Sequence, residues 1–328
     1  MKTVQRVSLV LGVVLFAWLL ARIGPATVAR NLRQLGWGFG VIFLQEGLAI
    51  LLYTLAWRRT LPPESRGIPM RSLFSMRLIG DAVNTLTPSA VVGGELLRVG
   101  LLKRFVPTSV ALASVGLAAL AQFMAQALFI VIGIPFVAAG GLRGRVAGAG
   151  YALAAVLLAV IASLVYLAWK GDGFRKAQRW LEARRWLPER WTSSDVQWAA
   201  LDEEIFGALR RRPQDFLVAL LFFYLGWSVT VADVYWILLF LGAPVSLAVA
   251  FSIAVLLVLI EGFFFFVPAR AGIPEAASYA VFLALGLDPA RGFALALARR
   301  LRELTWGLVG LAIVGSTGGL GTKDEGVR

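Results

Sequence analysis

FLVALLFFYLGWSVTVADVYWILLF, residues Phe216–Phe240, carries a single charged side chain, Asp233, in twenty-five positions. A helix crosses the hydrocarbon of a bilayer in about 20 apolar residues, whereas a barrel strand needs only about 10. The stretch is too long for a strand and too uniformly apolar for a half-exposed helix, so it reads as a membrane span of about 215–241. The same reading applies at 4–22, 36–57, 107–133, 146–169 and 246–267, with a short seventh candidate at about 303–317 whose start is also open to an earlier position. The expected fold is an all-α, polytopic integral membrane helical bundle of about 6–8 spans.

The composition agrees. Hydrophobic residues make up 59% of the 328 positions and charged residues 16%, where soluble domains carry about 25% charge. There is no cysteine and no histidine. This rules out disulfides, thiol chemistry and zinc sites built on those residues, and leaves any proton transfer to Asp or Glu. The formal charge of +13 sits in short segments between apolar runs. That placement fits attraction to anionic lipid and the positive-inside rule rather than nucleic-acid binding. With a cytoplasmic N-terminus, and with the two irregular stretches described below entering and leaving on that side, 25 of the 32 Lys and Arg residues lie inside. Lys2 and Arg6 precede an apolar run that lacks a small-x-small cleavage site before Arg22, so 4–22 is expected to be an uncleaved first span.

The segment 170–214 is polar, with ten basic and seven acidic residues. Ser194 and Gln197 are spaced as a capping box. Trp198, Leu201, Ile205 and Leu209 share one helical face, opposite Asp202, Glu203 and Arg210. An amphipathic helix on the cytoplasmic membrane surface is expected, with Trp180, Trp186 and Trp191 in the interfacial belt. The chain otherwise reads as one transmembrane domain over 1–320 with a polar tail, 321–328.

Two apolar stretches, 72–104 and 268–302, are interrupted by Pro, Gly and charge. Asp81, Pro88 and Glu95 are spaced seven apart, and so are Glu261, Pro268 and Glu275, with all three positions offset by 180 residues. None of the other eleven prolines is flanked in this way. The pattern predicts two broken or re-entrant segments forming an internal pseudo-repeat. Proline breaks or begins a helix, and Gly93, Gly94 and Gly272 let the chain turn or be approached closely. Helix N-termini restarting near Gly94 and Pro274 would attract negative charge. Charge at such depth needs a partner or a wet cavity. Arg77, Asp81, Asn84 and Pro88 share a helix face, Glu95 and Arg98 can pair three apart, and Arg299, Arg302, Glu303 and Trp306 form a further face. These groups are either internal salt bridges that hold a bundle together or the lining of a site. Glu46 and Asp233 are isolated acids inside spans, open to the same two readings. The run Phe263–Phe266 reads as lipid-facing packing.

The stretch Asp81-Ala-Val-Asn-Thr-Leu-Thr-Pro-Ser-Ala-Val-Val-Gly-Gly-Glu95 resembles the signature of the lysylphosphatidylglycerol synthase transmembrane family, the flippase-like domain proteins. Phe266-Val-Pro-Ala-Arg-Ala-Gly-Ile-Pro-Glu275, with Arg299-Arg-Leu-Arg-Glu303 after it, resembles that family's second signature. The likeness covers about 4–316 and is nearest to the hopanoid-biosynthesis-associated membrane proteins. It departs at Ala276 and Ala277, where glycine is usual, and at Pro274. The resemblance implies an inner-membrane protein that moves or handles lipids or lipid-linked intermediates, with Asn84, Pro88, Gly93, Gly94, Glu95, Pro268, Gly272, Glu275 and Arg299 as functional positions. The Arg-, Ala- and Gly-rich usage suggests a bacterial source. The synthases' soluble aminoacyl-transferase domain has no counterpart before Arg328, so lipid aminoacylation is not expected.

The expected function is translocation of an amphiphile, with its headgroup in a polar cleft and its tail in lipid. Candidate headgroup-binding residues are Arg77, Asp81, Asn84, Pro88, Gly93, Gly94, Glu95, Arg98, Glu261, Pro268, Arg270, Gly272, Glu275, Arg299, Arg302 and Glu303. Arg98, Arg299 and the helix N-termini would hold an anionic group, and the acids would balance charge, bind a cation or take up a proton. The expected partners are membrane lipids, an anionic or lipid-linked amphiphile above all, and a lipid-biosynthesis enzyme. No catalytic role, cofactor, metal or nucleic acid is expected, and no nucleotide-binding loop occurs. Two other readings use the same residues: a membrane transferase on a lipid-linked substrate, with buried acids as base or metal ligands, and an accessory subunit docking through 170–214.

Overall fold

A segment in hydrocarbon must satisfy its own backbone hydrogen bonds, and a helix does this within one stretch of chain. The computed structural model describes Ala21, 25–86, 92–139, 145–170, 207–264 and 272–316, and every regular element among these residues is helical. The elements are α1 (Pro25–Leu35), α2 (Gly38–Thr60), a 3₁₀ turn (Pro63–Ser65), α3 (Met70–Leu86), α4 (Val92–Leu102), α5 (Thr108–Ala139), α6 (Arg145–Lys170), α7 (Ala208–Arg211), α8 (Pro213–Phe240), α9 (Leu247–Phe263), α10 (Ile273–Ala284) and α11 (Pro289–Ser316). Four of them are long and apolar enough to cross a membrane: α2, α5, the Gly148–Tyr166 part of α6, and α8. The apolar helices α9 and α10 are shorter. The protein is thus all-α and polytopic in the membrane.

Burial separates the spans. The apolar window of α6 is only 6% buried, against 56% for α5. Tyr151, Val156, Leu158, Val165 and Tyr166 all stand exposed on α6. An apolar face of that size has lipid as its solvent.

Four of the expected spans correspond to α2, α5, α6 and α8, and 246–267 to the shorter α9. The expected span 4–22 lies outside the described residues. So does most of 170–214, including the capping box and the tryptophan belt, and so do Pro88, Pro268 and Arg270. The boundary expected at 302, between an irregular stretch and a seventh span, falls inside the continuous helix α11. Asp288 and Pro289 explain where that helix starts: the Asp288 carboxylate accepts from the Ala290 amide at 2.9 Å, and proline suits a first helical position. Downstream of Pro289 the helix meets no further proline. Gly272 precedes α10 with φ of +73°, a left-handed conformation that L side chains rarely adopt.

The chain divides into two compact units. The first comprises Met1–Ile50, Pro69–Arg98 and Thr230–Arg328; the second comprises Leu51–Ile68 and Val99–Val229. Within the first, α11 packs on α10, α3 and α1, and α10 packs on α9. Glycines set these approaches. A Cβ on Gly292 of α11 would lie 2.6 Å from the Ser278 carbonyl, and one on Gly310 would lie 3.1 Å from the Leu78 carbonyl. Within the second unit, α5 packs on α6. Thr60 ties the end of α2 to α5, its hydroxyl 3.0 Å from the Ser114 carbonyl oxygen.

The tightest approach described is between α3 and α4, which flank residues 87–91. A Cβ on Gly94 would sit 2.2 Å from the Gly80 carbonyl oxygen and 2.5 Å from Asn84 Oδ1. The Gly94 amide instead donates to Asn84 Oδ1 at 2.8 Å. One side chain thereby satisfies a first-turn amide of α4, which has no partner within its own helix. Gly94→Ala has no room, because the obstructing atoms are backbone. It is expected to destabilise the protein by at least about 2 kcal/mol, seen as a lowered unfolding temperature in detergent. Gly100→Ala, with nothing within 4 Å of its Cβ, should be neutral or slightly stabilising.

Candidate functional site

The crossing of α3 and α4 brings charge together from both helices. Arg98 is buried beside Gly80, where a side chain larger than hydrogen would strike its guanidinium Nε at 2.5 Å. Its two terminal nitrogens donate to different carboxylates, Nη2 to Asp81 on α3 and Nη1 to Glu95 on α4. Arg77 lies one turn before Asp81 and donates to its other oxygen at 3.2 Å. The cluster therefore holds two buried arginines and two carboxylates. The carboxylates are the outer members: the side chains of Asp81 and Glu95 are 36% and 30% exposed, against 4% for Arg98. Sequence spacing anticipates Arg77–Asp81 and Glu95–Arg98 but not Arg98–Asp81, which joins the two helices.

A second cluster forms in the same unit where α11 meets α2, α8 and α9. Arg302 donates to Asp233 of α8 and lies 3.0 Å from Oε2 of Glu46 on α2. Arg299, one turn earlier, lies 3.5 Å from the other Asp233 oxygen and donates to Glu261 of α9 at 3.2 Å. Asp233 is 2% exposed and Arg302 4%. Trp306 continues this face of α11: its indole nitrogen donates to the Phe43 carbonyl at 3.0 Å, and its ring stacks on Phe43 at 4.6 Å. Glu303 is on the exposed side of α11; Arg299 makes its ion pairs with Asp233 and Glu261.

Arg300 points to α10, where its Nη1 lies 2.9 Å from Oε1 of Glu275. Glu275 is fully buried, and neither of its carboxylate oxygens has a hydrogen-bond partner of proper geometry. The two acids seven residues either side of each special proline are thus all ion-paired with arginine. Asp81 and Glu95 share Arg98, whereas Glu261 and Glu275 use the adjacent Arg299 and Arg300.

Several candidate positions have local structural contacts. Asn84 Oδ1 accepts from the Gly94 amide, Gly94 makes the helix crossing, and Gly272 supplies the left-handed turn before α10. Gly93 is half-buried on the first turn of α4. Phe263 and Phe264 are exposed, Phe263 at 74%, as a lipid-facing pair. The residues absent from the sequence-based candidates are Asp233, Glu46 and Arg300. For the first two a signal exists: an isolated acid inside an apolar span is costly without a partner.

The chain matches the protein family described as "Lysylphosphatidylglycerol synthase TM region" over residues 5–312. A "UPF0104 membrane protein" of the archaeon Methanothermobacter thermautotrophicus (strain Delta H) is 35% identical over 106 residues, which are 32% of this chain and 31% of the relative. The matched region thus covers about a third of that relative's length. No solved structure matches the chain. The family match extends from the first apolar run to the last described turns of α11 and includes every charged residue of both clusters. The chain therefore belongs to the lysylphosphatidylglycerol synthase TM region family.

Proposed function

We propose that the protein carries the polar headgroup of an amphiphile through its first unit while the tail stays in lipid, a transport role rather than a catalytic one. The observation behind this reading is the asymmetry of the α3–α4 cluster. Two partly exposed carboxylates stand in front of a buried arginine, beside a proline- and glycine-broken segment, in a chain whose family is named for a lipid synthase's membrane region. An arginine already paired with two carboxylates is not a vacant anion site. It can hold an anionic headgroup by exchange: the phosphate takes the place of one carboxylate on Arg98, and the displaced acid faces the cleft or meets a cationic part of the headgroup. Exchange keeps the arginine paired throughout, which avoids leaving a lone charge in low dielectric. Hopanoid, phospholipid and polyprenyl-linked sugar are the candidate cargoes, in an inner membrane with the N-terminus cytoplasmic. The re-entrant reading of 72–104 and 268–302 belongs to the same proposal. It is supported by the 11 and 12 residues of α4 and α10, about 17 Å and 18 Å of helix at 1.5 Å per residue, too short to cross a bilayer alone.

The two clusters then have different duties. The Asp233 cluster is buried and holds α11 to its neighbours, whereas the Glu95 cluster can exchange partners. In proteoliposomes, wild-type protein is expected to speed leaflet exchange of a labelled anionic lipid above empty vesicles. Glu95→Gln is expected to slow it at least about tenfold, equivalent to about 1.4 kcal/mol, with unfolding temperature nearly unchanged. Equal exchange by the folded variant would overturn the role given to Glu95.

Asp233→Asn should behave in the opposite way. It removes the charge shared by Arg299 and Arg302, and breaking a buried pair costs about 3–5 kcal/mol. The expected outcome is a large fall in folded yield and thermal stability, measured by size-exclusion profile and unfolding temperature in detergent. A stable variant that only transports poorly would mean that the Asp233 cluster, too, is part of the pathway.

A further inference from the structure

Arginines in the second unit are satisfied differently. Arg58 donates through Nε and Nη2 to the Arg66 carbonyl, at 3.2 and 2.8 Å. Arg66 donates to the carbonyls of Leu61 and Arg59, both at 3.1 Å, and meets Asp215 at 2.6 Å. Arg212 reaches the Leu61 carbonyl at 3.4 Å, and Arg59 lies 3.9 Å from Asp215. A carbonyl accepts a hydrogen bond but brings no negative charge. Among the described residues, Arg59, Arg66 and Arg212 stand around Asp215, with Arg58 held to the same turn through the Arg66 carbonyl and Glu64 on the exposed 3₁₀ turn as a second acid; on formal charges these groups sum to about +2.

The position of this charge narrows its ligand. Arg59 and Arg212 line a shallow cleft together with Asp215, Thr60, Leu117, Leu209 and Phe216, so its polar rim, two arginines to one acid, has an apolar floor. The cleft sits where α2 ends and α8 begins, at one end of two membrane helices. From this end Leu217, Leu221 and Leu225 run down one face of α8 at four-residue spacing, exposed at 61%, 54% and 41%. Positions four apart lie one above another on a helix, so the leucines make a continuous apolar track that starts at the arginines. A head carrying Arg59 and Arg212 above an apolar track is complementary to a membrane lipid with an anionic phosphate.

We propose that this cleft binds the phosphate of an anionic membrane lipid, with Arg59 and Arg212 on the headgroup and an acyl chain along Leu217, Leu221 and Leu225. The lipid is a resident ligand of the second unit, separate from the cargo handled by the first. Arg66 is a positioning residue, because its donors fix the 59–66 turn, and Arg59 is the group free to reach out, with 47% of its side chain exposed.

The test is lipid binding to the purified, delipidated full chain, measured by native mass spectrometry with phosphatidylglycerol and phosphatidylcholine of identical chains. The expected result is at least about tenfold preference for phosphatidylglycerol, lost in Arg59→Gln/Arg212→Gln and kept in Arg30→Gln/Arg33→Gln, which removes equal charge from α1. If the double variant does not fold, Arg59→Gln alone, at a half-exposed side chain, should lower the preference at least about threefold. Equal binding of the two lipids by wild type, or unchanged preference in a folded Arg59→Gln/Arg212→Gln protein, overturns the proposal. Glycerol phosphate competing as well as the lipid also overturns it, because the acyl track would then contribute nothing. Glu95→Gln should bind phosphatidylglycerol like wild type; loss there would assign the bound lipid to the transport path and overturn the separate site.

Discussion

Asp233 is the residue on which the first unit turns. It is the single charged side chain between Phe216 and Phe240 of its helix. An ionised group in hydrocarbon costs several kcal/mol unless a partner and its hydrogen bonds come with it. Two partners come from one helix: Arg299 and Arg302, one turn apart on α11, take its two oxygens. Because each arginine also reaches a second acid, Glu261 or Glu46, the same pairing pulls α2, α8 and α9 onto α11. Lipid tails are as apolar as the side chains between helices, so hydrophobic burial discriminates poorly among packings in a membrane. Charge pairing discriminates sharply, since every wrong register leaves an arginine alone.

Exposure separates this anchor from the α3–α4 cluster, although the chemistry of both is Arg with Asp or Glu. In the anchor the shared acid is inside and nothing can compete for it. Around Arg98 the acids are outside, where a headgroup can approach and compete. The glycines reinforce the difference. Gly80 and Gly94 bring two backbones so close that Arg98 must lie along the crossing, held in place from behind while its partners stay accessible. The proposed exchange needs a fixed cation and replaceable anions, and the buried Arg98 with its partly exposed acids fits that requirement.

Much of the fold was legible from the sequence, because hydropathy reports solvent directly. Of the expected spans, α2, α5, α6 and α8 appear within a few residues of their forecast ends. Ion pairs three or four apart, such as Arg77–Asp81 and Glu95–Arg98, were legible for the same reason that helices are: the spacing fixes the face. Asp233–Arg302 is 69 residues apart and Glu46–Arg302 is farther still, so no periodicity reveals them. Only the cost of a lone acid in an apolar span hints that partners exist, and it does not say which. The hydrogen bond from the Gly94 amide to Asn84 Oδ1 was not legible, because it depends on how the chain returns at residue 92. How much earlier than 303 the last helix starts was not legible, because four charges within five residues, 299–303, look like the end of a membrane segment. In the folded unit the three arginines are paired sideways, and the helix runs through them.

The acceptors that arginine chooses also differ between the units, and the difference carries information about depth. Arg98, Arg299 and Arg302 are neutralised by carboxylates, as groups far from water must be. Arg58 and Arg212 lean on carbonyls, and Arg66 divides its donors between carbonyls and Asp215, so among the described residues these arginines outnumber the carboxylate they meet. Uncompensated charge is tolerable only within reach of water, salt or lipid phosphate. The end of α2 and the start of α8 must therefore lie at an interface.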